Sequence, residues 1–168
     1  MAAAAPEGVF VVRVQAEPFD AAEEAARLSA GRADIGAVVT FTGLCRADAG
    51  EAPLTALVLE HYPGMAEEEI SRHLEEARRR WPLEGAVIVH RHGRIVPGAP
   101  IVLVATASAH RGAAFAAAEF LMDWLKTDAP FWKKEERASG GTWVEAKAAD
   151  DDAAARWGAP TGPKPRAP

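Results

Sequence analysis

Two lysines and a cluster of other cations stand where this chain changes from one element to the next. Residues 108–135 read Ser-Ala-His-Arg-Gly-Ala-Ala-Phe-Ala-Ala-Ala-Glu-Phe-Leu-Met-Asp-Trp-Leu-Lys-Thr-Asp-Ala-Pro-Phe-Trp-Lys-Lys-Glu. Ser108-Ala-His110-Arg111 falls where a strand should meet a helix N-terminus, a place that favours anions through its free N–H groups and dipole. His110 and Arg111 would add side-chain donors there. Lys126 closes the helix, and Lys133 and Lys134 follow a proline break. Converging, such cations would bind an anionic substrate. Alternatively, Ser108 caps the helix, Lys126 complements its negative end and Lys133 decorates a solvated strand. Spacing is compatible with both readings.

Other residues admit chemistry. At Gly43-Leu44-Cys45-Arg46 an apolar run gives way to a glycine, which lets backbone N–H groups approach a ligand, and an arginine, which grips phosphate or carboxylate bidentately; the alternative is a surface arginine. Cys45 could be a thiol nucleophile, although an isolated cysteine is more often a small buried hydrophobe. His90 and His92 share a face if both lie in one strand, and with His110 they suggest a metal site. No acidic or cysteine ligand accompanies them at metal-binding spacing, so no metal is expected.

The elements that must position these groups follow from pattern and punctuation. Strands are expected at Val9–Val14, Ile35–Thr42, Leu54–His61, Ala86–His92, Ile101–Ala107 and Thr142–Ala146, with a further alternating run from Phe131. Ile35–Thr42 is nearly apolar throughout and is expected to be buried on both faces. Asp20 should cap a helix ending near Ser29, with Glu23 completing an Asp-x-x-Glu capping box and Gly31 as the stop. Pro63-Gly64 should lead into a helix over Met65–Trp81, with Ile70, Leu74, Ala77 and Trp81 as its apolar stripe. In the helix after Arg111, Phe115, Ala118, Met122 and Leu125 recur at intervals of three and four, widened by Phe120, Leu121 and Trp124. That helix must stop near Asp128, because Pro130 disfavours the α conformation at Ala129. Val96-Pro97-Gly98 and Ser139-Gly140-Gly141 read as turns. Strands and helices mix without strict alternation, so the class is α+β, a mixed and largely antiparallel sheet with packed helices.

Composition narrows the function. At 168 residues the chain suits one domain: a flexible arm over 1–8, a single domain over 9–157 and a disordered Pro-rich tail over 158–168. A net charge of −5 argues against a nucleic-acid binder. No apolar run reaches the length of a membrane span, and the opening residues lack a signal peptide's pattern, so a cytoplasmic protein is expected. A single cysteine excludes an internal disulfide.

Four segments carry a resemblance: Val39-Thr-Phe-Thr-Gly43 with Arg46, Leu59-Glu-His-Tyr-Pro-Gly-Met65, Ser108-Ala-His-Arg111 and Leu125-Lys-Thr-Asp-Ala-Pro-Phe-Trp-Lys-Lys-Glu135. Together they resemble the catalytic, large subunit of molybdopterin synthase, over roughly residues 9–157. The resemblance implies that family's α/β-hammerhead-containing fold and its reaction. In that family cyclic pyranopterin monophosphate becomes molybdopterin by gaining two dithiolene sulfurs. Each sulfur arrives as a thiocarboxylate on the C-terminal glycine of a small ubiquitin-like subunit, whose tail threads into the large subunit. The assembly implied is a homodimer within a heterotetramer, with neighbouring protomers both contributing to the substrate site and no cofactor required.

By the same resemblance, Lys126 is the lysine beside the small subunit's C-terminus and Lys133 is the second active-site lysine. Arg46, His110 and Arg111 are implied as substrate and phosphate contacts. Lys134 and Glu135 come with the same segment, although strand alternation sends Lys134 opposite to Lys133. Leu44 and Cys45 complete the implied substrate-binding set. Leu44 stands where many relatives have a polar residue and can offer only backbone contacts. Cys45 stands where valine is common, which argues against its carrying sulfur.

Two other functions fit parts of the pattern. A non-catalytic module could keep the pocket for a ubiquitin-like tail without the chemistry, but retention of both Lys126 and Lys133 argues against it. An anion-responsive regulatory domain would use the cations but leave the motif spacing unexplained.

Overall fold

The computed structural model describes residues 7–48, 52–144 and 148–158. Its elements run β1 (Val9–Gln15), α1 (Ala21–Ser29), β2 (Ala37–Leu44), β3 (Leu54–His61), α2 (Met65–Arg80), β4 (Gly85–Arg91), β5 (Gly93–Ile95), β6 (Pro100–Ser108), α3 (Arg111–Thr127), β7 (Phe131–Arg137), β8 (Gly140–Val144) and α4 (Ala148–Ala155). They form two four-stranded sheets, ordered β1-β4-β6-β2 and β5-β3-β7-β8. Among the described residues only the β1–β4 pair is parallel. The α+β, largely antiparallel expectation holds.

The first sheet is a sandwich filling. Ala86 and Ile88 of β4 and Val102 and Val104 of β6 face α2 and α3, meeting Ile70, Leu74, Leu121 and Trp124. The alternate residues, Val87, Val89, Leu103, Ala105 and Ala107, face Leu28 of α1 and Phe19. Covered on both faces, the two central strands read as continuous apolar runs. Ile70, Ile88 and Leu121 are wholly buried, each contributing about 1.5–3 kcal/mol by removal from water.

Local chemistry explains the helix boundaries. The Asp20 carboxylate accepts from the N–H groups of Ala22 and Glu23, capping α1. Glu23 does not complete a capping box; it pairs with Arg27 one turn on, at 2.6 Å. Gly64 enters α2 at φ 85°, a conformation that favours glycine, and its N–H donates to Glu67. Along α2, Glu69–Arg72, Glu75–Arg78 and Glu76–Arg80 pair across single turns. α3 is tied to β6 by the Thr106 hydroxyl, which donates to the Ala114 carbonyl at 2.7 Å.

Several expectations need correction. β2 is an edge strand, and Val38, Phe41 and Leu44 are exposed; an apolar run can mark a sheet edge as well as a sheet centre. Phe115 is 61% exposed, because the buried face of α3 runs through Ala114, Ala117, Ala118, Leu121 and Trp124. Met122 is buried as expected. The N-cap of α3 is His110, without a side-chain cap; the Ser108 hydroxyl instead donates to the Pro82 carbonyl and accepts from the His110 N–H. β4 ends at Arg91, and Gly93, at φ 81°, turns the chain into the short strand β5. His92 therefore does not share a strand face with His90. Neither β5 nor α4 was expected from sequence. Of the proposed arm, residues 1–6 lie outside the described residues, as do 145–146 of the expected last strand and 159–168 of the proposed tail.

Candidate active site

The second sheet brings β7 against β3, with Leu59 opposite Lys133 and His61 opposite Phe131. Directly paired residues share a sheet face, and so do residues two apart. Lys133 therefore projects on the face that carries His61, Leu59, Leu57, Phe131 and Glu135. Cys45 enters the same layer from the end of β2, packed with Leu57, Leu59 and Ile95. Its carbonyl accepts from Gly98 N–H at 2.6 Å and its N–H donates to the Ala99 carbonyl at 2.9 Å. The thiol is 1% exposed. Burial pushes it upward from its ordinary range, partly offset by the Leu57 N–H and the positive charge of Lys133. That environment suits a packed hydrophobe rather than a thiolate nucleophile.

Arg46 follows Cys45 and faces solvent, with no hydrogen bond or ion pair among the described residues. Its loop is anchored by a residue that sequence reading passed over. Arg137, at the end of β7, ion-pairs with Asp48 and with Glu135 at 2.8 Å and donates to the Ala52 carbonyl at 2.7 Å. Asp48 in turn accepts from the Leu54 N–H at 2.8 Å. Glu135 thus belongs to the clamp that holds the Arg46 loop beside β7. Lys134 is on the other face, its ammonium over the Trp143 ring, 5.8 Å from the centroid. Leu44 is exposed at a bulge where β2 leaves its register with β6.

Lys126 arrives from the far end of α3. It is exposed, one residue before the helix ends, and its charge reaches His90 on β4. His90 is buried, stacks on Phe131 with centroids 3.8 Å apart, and donates from Nδ1 to the Arg91 carbonyl at 2.8 Å. Burial above all holds its imidazole down to about 4. Arg91, also buried, donates to the Ala16 and Pro100 carbonyls and fixes this end of the first sheet. Lys126, Lys133, Cys45 and Arg46 therefore share one end of the molecule.

His110 and Arg111 do not join them. Ser108 pairs with Ala37 at one end of β2, whereas Pro100 pairs with Leu44 at the other. Seven residues of strand separate those ends, on the order of 20 Å. His110 and Arg111 are exposed at the distant end, so the histidine trio suggested as a metal site does not assemble. Among the described residues no group of His, Cys, Asp and Glu is arranged to hold a metal ion. A cavity of about 770 Å³ opens elsewhere, between α2, α3 and α4, lined by His73, Phe120, Trp124 and Trp157 but not by either lysine. No helix among the described residues is long and apolar enough to cross a membrane.

Fold and site define a mixed α+β protein that gathers cations at the junction of two sheets. The family model for the MoaE protein matches residues 14–128. A molybdopterin synthase catalytic subunit from Mesorhizobium japonicum is 62% identical over 148 residues, 87% of this chain and 92% of that one. The solved molybdopterin biosynthesis MoaE protein of Burkholderia ambifaria is 48% identical, with a TM-score of 0.76 over 90% of this chain and 100% of that one. A chain from a Helicobacter pylori complex of subunits 1 and 2 of molybdopterin-converting factor shares the fold at 19% identity, with a TM-score of 0.65 over 82% of this chain and 90% of that one. The chain belongs to the MoaE family, the catalytic subunits of molybdopterin synthase. It is an enzyme of molybdenum cofactor biosynthesis.

Proposed function

We propose that this chain holds cyclic pyranopterin monophosphate against the thiocarboxylated C-terminus of a small ubiquitin-like subunit and transfers its sulfur to form the dithiolene. The observation that carries the reading is the meeting of α3 with β7, which brings Lys126 and Lys133 to the end of the molecule that bears Arg46. A substrate phosphate and an incoming thiocarboxylate repel each other, and preorganised cations offset that repulsion as charge develops. Lys126, at the solvent edge, meets the tail; Lys133, rising from the buried layer, meets the reacting end of the pterin. Arg46 contacts the phosphate from a loop held by Arg137. Leu44 and Cys45 contribute backbone and packing, and Glu135 acts through the Arg137 clamp. Lys134, on the opposite face, supports the β7–β8 hairpin.

His110 and Arg111 reach such a substrate from a second copy of the chain. The strand length between them and Arg46 supports this reading, because it sets them on the order of 20 Å from the end that bears the lysines. The unpaired edge of β2, with Val38 and Phe41 exposed, and the exposed Phe115 of α3 offer an apolar surface for that copy. The assembly is then a homodimer with one small subunit per protomer, in the cytoplasm. The test is turnover: the purified chain with pterin precursor and thiocarboxylated partner should yield molybdopterin. Tight binding of the partner tail without product would favour a non-catalytic binding module.

A further inference from the structure

The segment Glu60-His61-Tyr62 carries an imidazole for which the sulfur-transfer reading supplies no task. His61 is the last residue of β3. Because Leu59 opposes Lys133 and His61 opposes Phe131, His61 is the diagonal cross-strand neighbour of Lys133 on the same face, about 7–8 Å away. On its other side the Phe131 ring lies 5.9 Å from His61 and 3.8 Å from His90. His92, at the turn into β5, places its ring 4.4 Å from that of His61. An aromatic row, His92–His61–Phe131–His90, thus runs from the neighbourhood of Lys133 to that of Lys126.

The imidazoles in this row are not equivalent. His90 is buried and its Nδ1–H is committed to a carbonyl, so it serves as floor. His61 and His92 are half-buried, and neither ring is hydrogen-bonded among the described residues. The groups around His61 mostly oppose a charge on it. Lys133 faces it from β7, Lys126 lies beyond the row on α3, and His90 and His92 adjoin it; Glu67 of α2 favours its protonation, and Glu135 lies farther along the same face, held by Arg137. Burial and His92 hold the His61 imidazole below its ordinary value, so it is neutral in the empty site near neutral pH. An arriving anion reverses that balance.

We propose that His61, backed by His92, is a proton-accepting wall of the lysine site. It takes one proton from solvent as a phosphate or a terminal carboxylate settles between Lys126 and Lys133, then donates a charge-assisted hydrogen bond to that anion. The proton returns to solvent when the anion leaves. The proposal rests on the sulfur-transfer reading for the place of the anion, but its test does not require turnover.

The full chain is titrated by NMR of its histidine side chains in three states: alone, with inorganic phosphate, and with a synthetic peptide ending in a free Gly-Gly carboxylate. The peptide and phosphate arms separate the two sources of negative charge. Whichever anion occupies the site should move the His61 midpoint upward by about one pH unit, and Lys126→Ala should remove the movement. Calorimetry at pH 6.5 in buffers of different ionisation enthalpy should find on the order of half a proton taken up per bound anion. His61→Gln should abolish the uptake and weaken binding about tenfold. His92→Gln, which leaves His61 in place, should raise the His61 midpoint in the free chain and reduce the proton uptake. A stationary His61 midpoint on anion binding would overturn the proposal, as would unchanged uptake in His61→Gln or failure of both probes to bind. A stationary midpoint in a chain that still makes molybdopterin would remove this role for His61 and leave sulfur transfer standing. A moving midpoint in a chain that makes none would do the reverse.

Discussion

Arg46 and His110 stand at opposite ends of one strand pair: β2 meets β6 at Ala37–Ser108 beside His110 and at Leu44–Pro100 beside Arg46. A single protomer therefore separates two groups that the family motifs assign to one substrate. The homodimer proposed above accounts for the separation, because a two-fold contact of that kind brings the far end of one copy to the near end of the other.

Hybrid dimers test that arrangement. Neither Lys126→Ala nor His110→Ala homodimers should turn over. Mixed by co-expression, they should recover activity, since a hybrid holds one site with both residues intact. Random pairing makes half the dimers hybrid, so about a quarter of wild-type activity is expected. Absence of recovery from a verified hybrid would place Lys126 and His110 in the same protomer's site, or in no common site.

Cys45 is the chain's single thiol, and it packs against Leu57, Leu59 and Ile95. Cys45→Val should keep most activity and cost less than about 1.5 kcal/mol, because the volumes are close. In the folded chain the thiol should react slowly with iodoacetamide, and unfolding should release it. Arg46→Ala, one residue on and in solvent, should lose activity through weaker anion binding. A folded, partner-binding Cys45→Val protein without activity would overturn the assignment of sulfur to the partner.

Parts of this architecture were legible because local signals were redundant. α2 announces itself by Pro63-Gly64, an acidic first turn, an arginine-rich last turn and Pro82. β3 occupies the residues its pattern predicts. Status within a sheet was not legible: β2 is as apolar as β4 and β6 but lies at an edge, a property of topology rather than of the segment. Phe115 fits a helical stripe by spacing, but the neighbouring Ala114 and Ala117 turn inward against the sheet. α4, rich in alanine and aspartate, has almost no apolar periodicity to detect. For the site, spacing left the roles of Lys126 and Lys133 open, and family motifs supplied them. Arg137 escaped notice because its partner Asp48 is 89 residues away, and His61 because its neighbours come from β4, the turn into β5, and β7.

Stability should fall with acid in a defined window. His73 stacks on Trp124 at 3.6 Å and His90 on Phe131 at 3.8 Å. Burial holds both down to about 4, against an ordinary value of 6.5. Below pH 6.5 the unfolded chain therefore binds protons that the native chain refuses. The contribution is complete above pH 6.5 and is lost progressively down to about pH 4, on the order of 3 kcal/mol per imidazole. Urea unfolding followed by tryptophan fluorescence should show the midpoint falling across that window, and His73→Phe should reduce the fall by about half. A midpoint that is flat from pH 6.5 to 4 would contradict the buried, neutral state of both rings.

The central claim is that Lys126 and Lys133 carry the chemistry. It is tested most directly by measuring molybdopterin formed from pterin precursor and thiocarboxylated partner with Lys126→Ala, Lys126→Arg and Lys133→Ala. Each alanine variant should fold and bind the partner but lose at least about a hundredfold in turnover. Lys126→Arg should not recover it, because a planar, forked guanidinium does not reproduce the compact ammonium that meets the tail's end. Near wild-type turnover in either alanine variant would contradict the account.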